Sequence, residues 1–497
     1  MSWWQNIPFF LVWGPLLLSS VTAVLKPKQA RAMMLIVPAA GTLASGALLV
    51  SLLKNGGGSF RYALGAFGAP VGNELRAGEL EAVLAVTFCL ILFLCVLGGY
   101  QRIRAHIETR RQSLYAVMVL LLQAGMMAQL FTNDVFTAYV FIEIMTIAAA
   151  SLVLARTRGR TLFAATKYMI MNLLGSGLFL LGISILYCLT GHLLMEDIHD
   201  EVMRLSATGA YLRPLTLSMA LITIGLAVKS ALYPFHTWLP DAYASATPSS
   251  SAMLASLVSK AYIFLYIKFV IRVFDPAVFR ETHIQTVLLV FSAVGIILGS
   301  IDAILEKKLR RMIAYSSVAQ IGYIYLGIAL GTRAGVAAAV FHIIAHALAK
   351  AVLFLSGDRL IGASDGDATF HELRGAGYRA PLSGAVFSIA ACSIVGIPIL
   401  GGFASKLYLA DACMGVDLTN ALIALIVLAV STALNAAYFL ITVVTLYMKP
   451  THEYHTRLNH PKVSTAALAV FALLIVALGV FAPQVMSIIE TGVSHLL

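Results

Sequence analysis

Apolar runs long enough to cross a bilayer, about 20 residues each, fall at 6–25, 32–53, 79–100, 112–131, 133–155, 162–190, 213–235, 250–272, 284–304, 311–331, 333–357, 381–404, 418–448 and 463–488. They predict fourteen membrane-spanning helices, here spans 1 to 14, and an all-α integral membrane protein. The first run lacks a basic n-region and a small-residue cleavage site, so it reads as a retained span and not as a signal peptide. The polar, Gly-rich loop 54–78 cannot span and is expected outside the membrane. Loop 191–212 carries charge at helical spacing, which predicts a short interfacial helix.

Two runs are interrupted. In KSALYPFHTWLPDAYASATPSSSAMLASLVSK, Lys229 to Lys260, an apolar segment carries Lys229 into the bilayer before Pro234 removes a backbone donor. A polar Pro- and Ser-rich stretch follows, and the next apolar segment places Lys260 at depth. In SIVGIPILGGFASKLYL, Gly396, Pro398, Gly401 and Gly402 break span 12 just before Lys406. Paired Gly/Pro-interrupted spans in corresponding positions point to a transporter site. The interruptions lie five spans apart, an odd offset that turns a second copy upside down. The expected organisation is spans 1–3 (1–111), a first five-helix repeat (spans 4–8, 112–273), an inverted second repeat (spans 9–13, 284–448) and span 14 (449–497).

Composition agrees with a membrane protein: 60% hydrophobic, 11% charged, mean hydropathy +0.89. The net charge of +11 sits mostly in short loops, which argues for orientation and against nucleic acid. The clusters are Lys26/Lys28/Arg31, Arg102/Arg104/Arg110/Arg111, Arg156/Arg158/Arg160, Lys307/Lys308/Arg310/Arg311 and Lys449/Arg457/Lys462, all in odd-numbered connections. The positive-inside rule then puts those loops in the cytoplasm and both termini outside, in a multi-pass protein of the cell (inner, cytoplasmic) membrane. Cys89, Cys95, Cys188, Cys392 and Cys413 form no CxxC pair, and there is no Walker A run or GxGxxG after a strand. No cofactor or metal is expected in this chain.

The chemistry lies in ionisable residues at membrane depth, each costing roughly 3 kcal/mol to insert and hence a functional hypothesis by default. Glu143 sits mid-span without a charged neighbour in sequence, and Lys229 is its natural partner. Pairing keeps both charged, and separation favours a neutral lysine; the pair is either a proton switch or a static bridge between helices. His342, His346 and Lys350 recur at i, i+4 and i+8 and share one stripe of span 11. Histidine carries protons at neutral pH, so the stripe suits a relay, packing of the rings on backbone carbonyls being the alternative. A zinc reading of HxxxH lacks a third ligand. His236 and Asp241 flank the first break and line a mouth of the path or cap the loop. Lys167 is expected to snorkel to the surface, the run Lys307 to Arg311 to orient the chain, and Asp302 is a further candidate.

These residues resemble the antiporter-like subunits shared by respiratory complex I (NADH:quinone oxidoreductase), energy-converting hydrogenases and Mrp-type cation/proton antiporters. The likeness covers roughly 80–450 and rests on FIE in span 5, KSALYPFHTWLPDAYASATPSS, EKKLRRMIAYSSVAQIGYI, HALAKAVLFL and GIPILGGFASK. It implies a coupled Glu143/Lys229 pair, a hydrated midplane bridge through Lys260, His342 and His346, and a span-12 ionisable residue at Lys406. Lysine at 406, the end of the chain shortly after span 14 and the GAFGAPVGNEL loop make it most similar to the D-type subunit of an Mrp antiporter. The alternatives are a pump subunit of a complex I-like or hydrogenase enzyme and a stand-alone secondary transporter. The resemblance implies other membrane subunits as partners, with protons and, in an antiporter, Na⁺ as the ions moved.

Overall fold

The computed structural model describes residues 2–67, 72–156, 159–366, 368–450 and 462–496. Arg158, Arg457 and the Gly68–Val71 part of the GAFGAPVGNEL loop lie outside the described residues. Among those described, thirteen helices are long and apolar enough to cross a membrane. They are Ile7–Val24, Pro27–Lys54, Glu79–His106, Gln112–Phe131, Val135–Leu154, Gly159–Thr190, Leu212–Ser230, Pro248–Val273, Ile284–Leu305, Leu309–Ala329, Arg333–Gly362, Leu418–Leu446 and Lys462–Val480. They match the expected spans one to one except span 12, which is split into Pro381–Val395 and Gly401–Cys413.

Spans 8 and 11 lie at the centre, with their apolar windows wholly buried in protein, and span 10 is nearly so. Span 11 packs on spans 3, 8, 10, 12 and 14. Its run of alanines and Gly335 lets neighbours come close: a Cβ on Gly335 would meet the Gly327 carbonyl of span 10. Spans 6 and 7 cross at Gly175 and Gly225, where either Cβ would fall 2.7–2.8 Å from the other glycine's carbonyl. That crossing lies against the Lys229 side chain.

Three segments depart from the sequence expectation. The loop 54–78 contains an antiparallel hairpin, Phe60–Ala63 with Glu74–Ala77, so the fold carries a small β-ribbon on an otherwise helical body. The helix Met195–Ala207 exists as expected, but its apolar stripe Met195, Ile198, Val202 and Leu205 is buried against the end of span 8, not in lipid. The last apolar run breaks at Phe481, and a separate helix, Ala482–Ser494, folds back onto spans 3 and 11.

A buried polar network ties these pieces together at one end of the bundle. Arg272 pairs with Glu81 at 3.0 Å and donates to the Leu496 carbonyl at 3.0 Å. Arg76 of the hairpin meets Glu196 at 2.5 Å and the His495 carbonyl at 2.9 Å. Lys268 donates to the carbonyls of Gln129, Leu130 and Thr132, which span 4 leaves free at its C-terminus.

Candidate functional site

Span 7 ends at Ser230 because Ala231 turns left-handed (φ 63°) and Leu232 N–H closes back on the Ala227 carbonyl at 2.9 Å. The Val228 carbonyl, which accepts from Ala231 N–H at 3.3 Å, also accepts from the Trp238 indole at 3.0 Å. The chain re-enters through Leu239–Ser245, and the Thr247 side chain accepts from Ser250 N–H at 3.2 Å to start span 8. The Ser-rich stretch is docked, not solvated: Ser249 reaches the Cys95 carbonyl at 3.0 Å and Ser251 the Tyr243 carbonyl at 2.6 Å. Span 8 then passes through a π turn, Leu254–Val258, whose displaced Ala255 carbonyl receives the Lys260 ammonium. Ser259 Oγ lies 3.2 Å from the same nitrogen.

Lys229 is fully buried. Its ammonium donates to Thr146 Oγ1 at 2.9 Å and lies 5.4 Å over the Tyr262 ring. The direct Glu143–Lys229 ion pair expected from sequence is therefore absent in this arrangement. Glu143 stands one helical turn from Thr146 on span 5, close enough for its charge to act on Lys229, and its Oε1 is buried without a hydrogen-bond partner. Thr146 thus occupies the place given to the carboxylate, and the i+3 spacing from Glu143 was the signal for it.

Of the span-11 stripe, the two histidines come together. His342 and His346 stack with ring centroids 5.9 Å apart, and both are buried. His342 Nδ1 shares a 2.8 Å hydrogen bond with Ser405 Oγ, while its Nε2 and both nitrogens of His346 have no partner. Unpartnered buried ring nitrogens are costly unless water reaches them, so this stripe can accept protons or bridging waters. Lys350 is turned aside to the Ile313 carbonyl (2.9 Å) and Ser316. The Lys260 charge acts on His342, His346 and Lys350, which puts Lys260 at the junction of the row.

The second break repeats the first in a different role. Gly396 is left-handed (φ 94°), and Ile397 N–H closes on the Cys392 carbonyl at 3.0 Å. Here the ammonium of Lys406, half-buried, caps the broken helix: it donates to the Val395 carbonyl at 2.8 Å and to Thr432 Oγ1 at 3.1 Å. The carbonyl end of a helix favours a cation. Tyr323 joins this end to the histidines, stacked on His342 at 5.4 Å and lying 5.4 Å beneath Lys406 Nζ. Tyr323 and Ser405 lie in the quoted motifs EKKLRRMIAYSSVAQIGYI and GIPILGGFASK but are uncharged and were not singled out, and Thr432 has no charged neighbour in sequence.

Of the residues at the first break, His236 stacks on Tyr233 at 5.0 Å with its Nδ1 unpartnered, and the charge of Asp302 acts on it. Asp241 is an ion-pair hub, 2.8 Å from Lys167 and 3.1 Å from Arg311. Lys167 therefore does not simply snorkel. Arg310 and Arg102 both pair with Asp358, the latter at 2.8 Å, so the basic run also fastens spans 3, 10 and 11 to one another.

Residues 132–433 match the family model "NADH:quinone oxidoreductase/Mrp antiporter, TM". The N-type subunit of the NADH-quinone oxidoreductase of Desulforudis audaxviator is 32% identical over 464 residues, covering 90% of each chain. The D-type subunit of the Na(+)/H(+) antiporter of Bacillus subtilis is 29% identical, over 80% of this chain and 78% of the relative. Among solved structures, a chain of the archaeal membrane-bound sulfane sulfur reductase superposes with TM-score 0.87 and 26% identity, over 99% of this chain and 98% of its own. A chain of the Mrp complex from Dietzia sp. gives 0.86 at 22% identity, over 100% and 98% respectively, a likeness of fold.

Proposed function

The chain belongs to the NADH:quinone oxidoreductase/Mrp antiporter transmembrane family, and we propose that it is the proton-translocating, antiporter-like subunit of a multisubunit membrane complex. One observation carries the proposal. Lys260, the His346/His342 stack and Lys406 act on one another in turn, Lys229 lies over Tyr262, two residues along span 8 from Lys260, and among the described residues none of these lysine ammonium groups is within 4.0 Å of a carboxylate. Direct counter-charges would hold these ammonium groups in the charged form. Hydroxyls, carbonyls and rings in their place leave each group free to gain or lose a proton.

In the mechanism, Lys229 exchanges between Thr146 Oγ1 and the Glu143 carboxylate. Near Glu143 it is held charged; at Thr146 it can pass its proton toward Lys260. From Lys260 the proton enters the His346/His342 stack, and Ser405 and Tyr323 deliver it to Lys406 at the second break. Each transfer moves one proton between nitrogen lone pairs, with water as carrier where no side chain reaches. The matching caps at Ala231 and Gly396 support reading 112–273 and 284–448 as inverted repeats. The basic odd-numbered loops would face the cytoplasm, with both termini outside the cell membrane.

Relatives of the antiporter and the quinone-oxidoreductase kind match at nearly equal identity, so the assignment to a D-type Mrp subunit rests on lysine at 406, which sets the chain apart from the glutamate-bearing type, and on the GAFGAPVGNEL loop. A pump arm of a redox enzyme is the second reading. Purification from the native membrane in gentle detergent separates them by mass spectrometry of co-purifying chains and optical and EPR spectra. A colourless complex of small membrane subunits is the expected result; iron-sulfur or flavin signals would make this chain the pump arm of a redox enzyme. Isolation of the chain alone, still competent for transport, would contradict both.

A further inference from the structure

We propose that the outer face of span 6 binds a single anionic phospholipid, its phosphate held between Arg160 and Lys308 and one acyl chain lying along the groove past Val228 and Phe235 toward Leu181. Two adjoining cavities of 430 and 520 Å³ open where span 6 starts and the span 9–10 turn approaches it, and both are lined by Arg160, Lys308 and Arg311. Arg311 is occupied by Asp241 and Glu306, and Arg310 by Asp358. Arg160 and Lys308 are exposed and have no side-chain ion pair or hydrogen bond among the described residues. With Lys307, which lines one of the cavities, three cations without an ion pair among the described residues face the single unpaired carboxylate of Asp302; that net positive charge suits a phosphate, and a basic pocket between membrane helices is the setting in which lipid headgroups bind.

An apolar cavity of 810 Å³ follows in line along the same helix. It is lined by Ile170, Leu174, Gly177 and Leu181 of span 6 together with Val228 and Phe235. Ile170, Leu174 and Leu181 are each more than half exposed, and a Cβ on Gly177 would meet nothing within 4 Å. From Ile170 to Leu181 the helix rises about 16 Å, close to one leaflet's share of a ~30 Å hydrocarbon core. The cationic end and the apolar groove are thus spaced as headgroup and acyl chain are. The Lys167–Asp241 pair lies between them, at the depth of the polar ester region. The middle of the chain would cross Val228, next to Lys229 and level with Gly175, and cover the lateral side of the span-7 break, with its end near Leu181.

Two measurements on the intact complex test this. Photo-leucine in place of Leu174 should cross-link to phospholipid on illumination; a cross-link to a polypeptide, or none, overturns the proposal. In nanodiscs of mixed phosphatidylglycerol and phosphatidylcholine, the wild-type complex should retain phosphatidylglycerol through delipidation, and the variant R160Q/K308Q about tenfold less. K26Q/K28Q should retain it as wild type does, and G177W, which fills the groove, should lose it. Equal retention in R160Q/K308Q, or displacement of the bound species by inorganic phosphate alone, overturns the assignment.

Discussion

Replacing Lys229 with alanine stops proton translocation while the complex still assembles. The ammonium is fully buried, with one hydroxyl partner, Thr146, and the Tyr262 ring beneath it. Desolvating an ammonium costs several kcal/mol, and the substitution removes that cost along with the side chain's contacts, so the fold tolerates it. Transport does not, because the proposed path loses the nitrogen that takes its proton beside Glu143 and passes it toward Lys260. Inverted membrane vesicles with a pH-sensitive dye should show loss of acidification to background, with the partner chains co-purifying in wild-type amounts. Lys307→Ala serves as the contrast. Lys307 is exposed in the span 9–10 turn and belongs to no buried row, so yield or orientation should change more than rate. Wild-type acidification by the Lys229→Ala complex would remove the proposed switch.

Lys406→Arg also abolishes translocation, although it preserves charge. Lys406 caps the broken end of span 12 through the Val395 carbonyl and Thr432. Were its role only to hold positive charge against the helix's carbonyl end, arginine would serve, since it is charged at every working pH and brings more donors. A proton-carrying residue must also become neutral, and arginine cannot. The same vesicle assay should therefore give at least a tenfold loss, about 1.4 kcal/mol of barrier, for Lys406→Arg as for Lys406→Ala. Near-normal transport by Lys406→Arg with none by Lys406→Ala would reassign Lys406 to an electrostatic, helix-capping role.

The membrane architecture was legible because a spanning helix must be apolar for its whole length, a signal that survives without any tertiary information. The breaks at Pro234 and Pro398 were equally visible, since proline and glycine mark backbone that cannot continue as helix. Hydrogen-bond partners were not. Glu143 and Lys229 looked complementary because charge attracts charge over any distance along a sequence, whereas the structure gives Lys229 a neutral hydroxyl. The π turn that turns the Ala255 carbonyl toward Lys260 depends on how span 8 is packed between spans 3, 4 and 11, and no residue in LASLV announces it. Asp241 was read as lining a mouth of the path or capping the loop, and its ion pairs with Lys167 and Arg311, on helices far apart in sequence, were not legible. The hairpin at 60–77 was hidden by its glycines, which suit turns and loops alike.

Lys260 is the residue through which the two halves of the row meet, so removing its charge is the most stringent test of the proton path. The intact complex carrying Lys260→Met, which keeps the length of the stem and removes the ammonium, would be reconstituted in liposomes beside wild type and proton movement followed with an internal pH dye. A pH gradient is expected for wild type and none for the variant, with identical subunit composition. A wild-type gradient generated by the Lys260→Met complex would show that protons do not cross along this row.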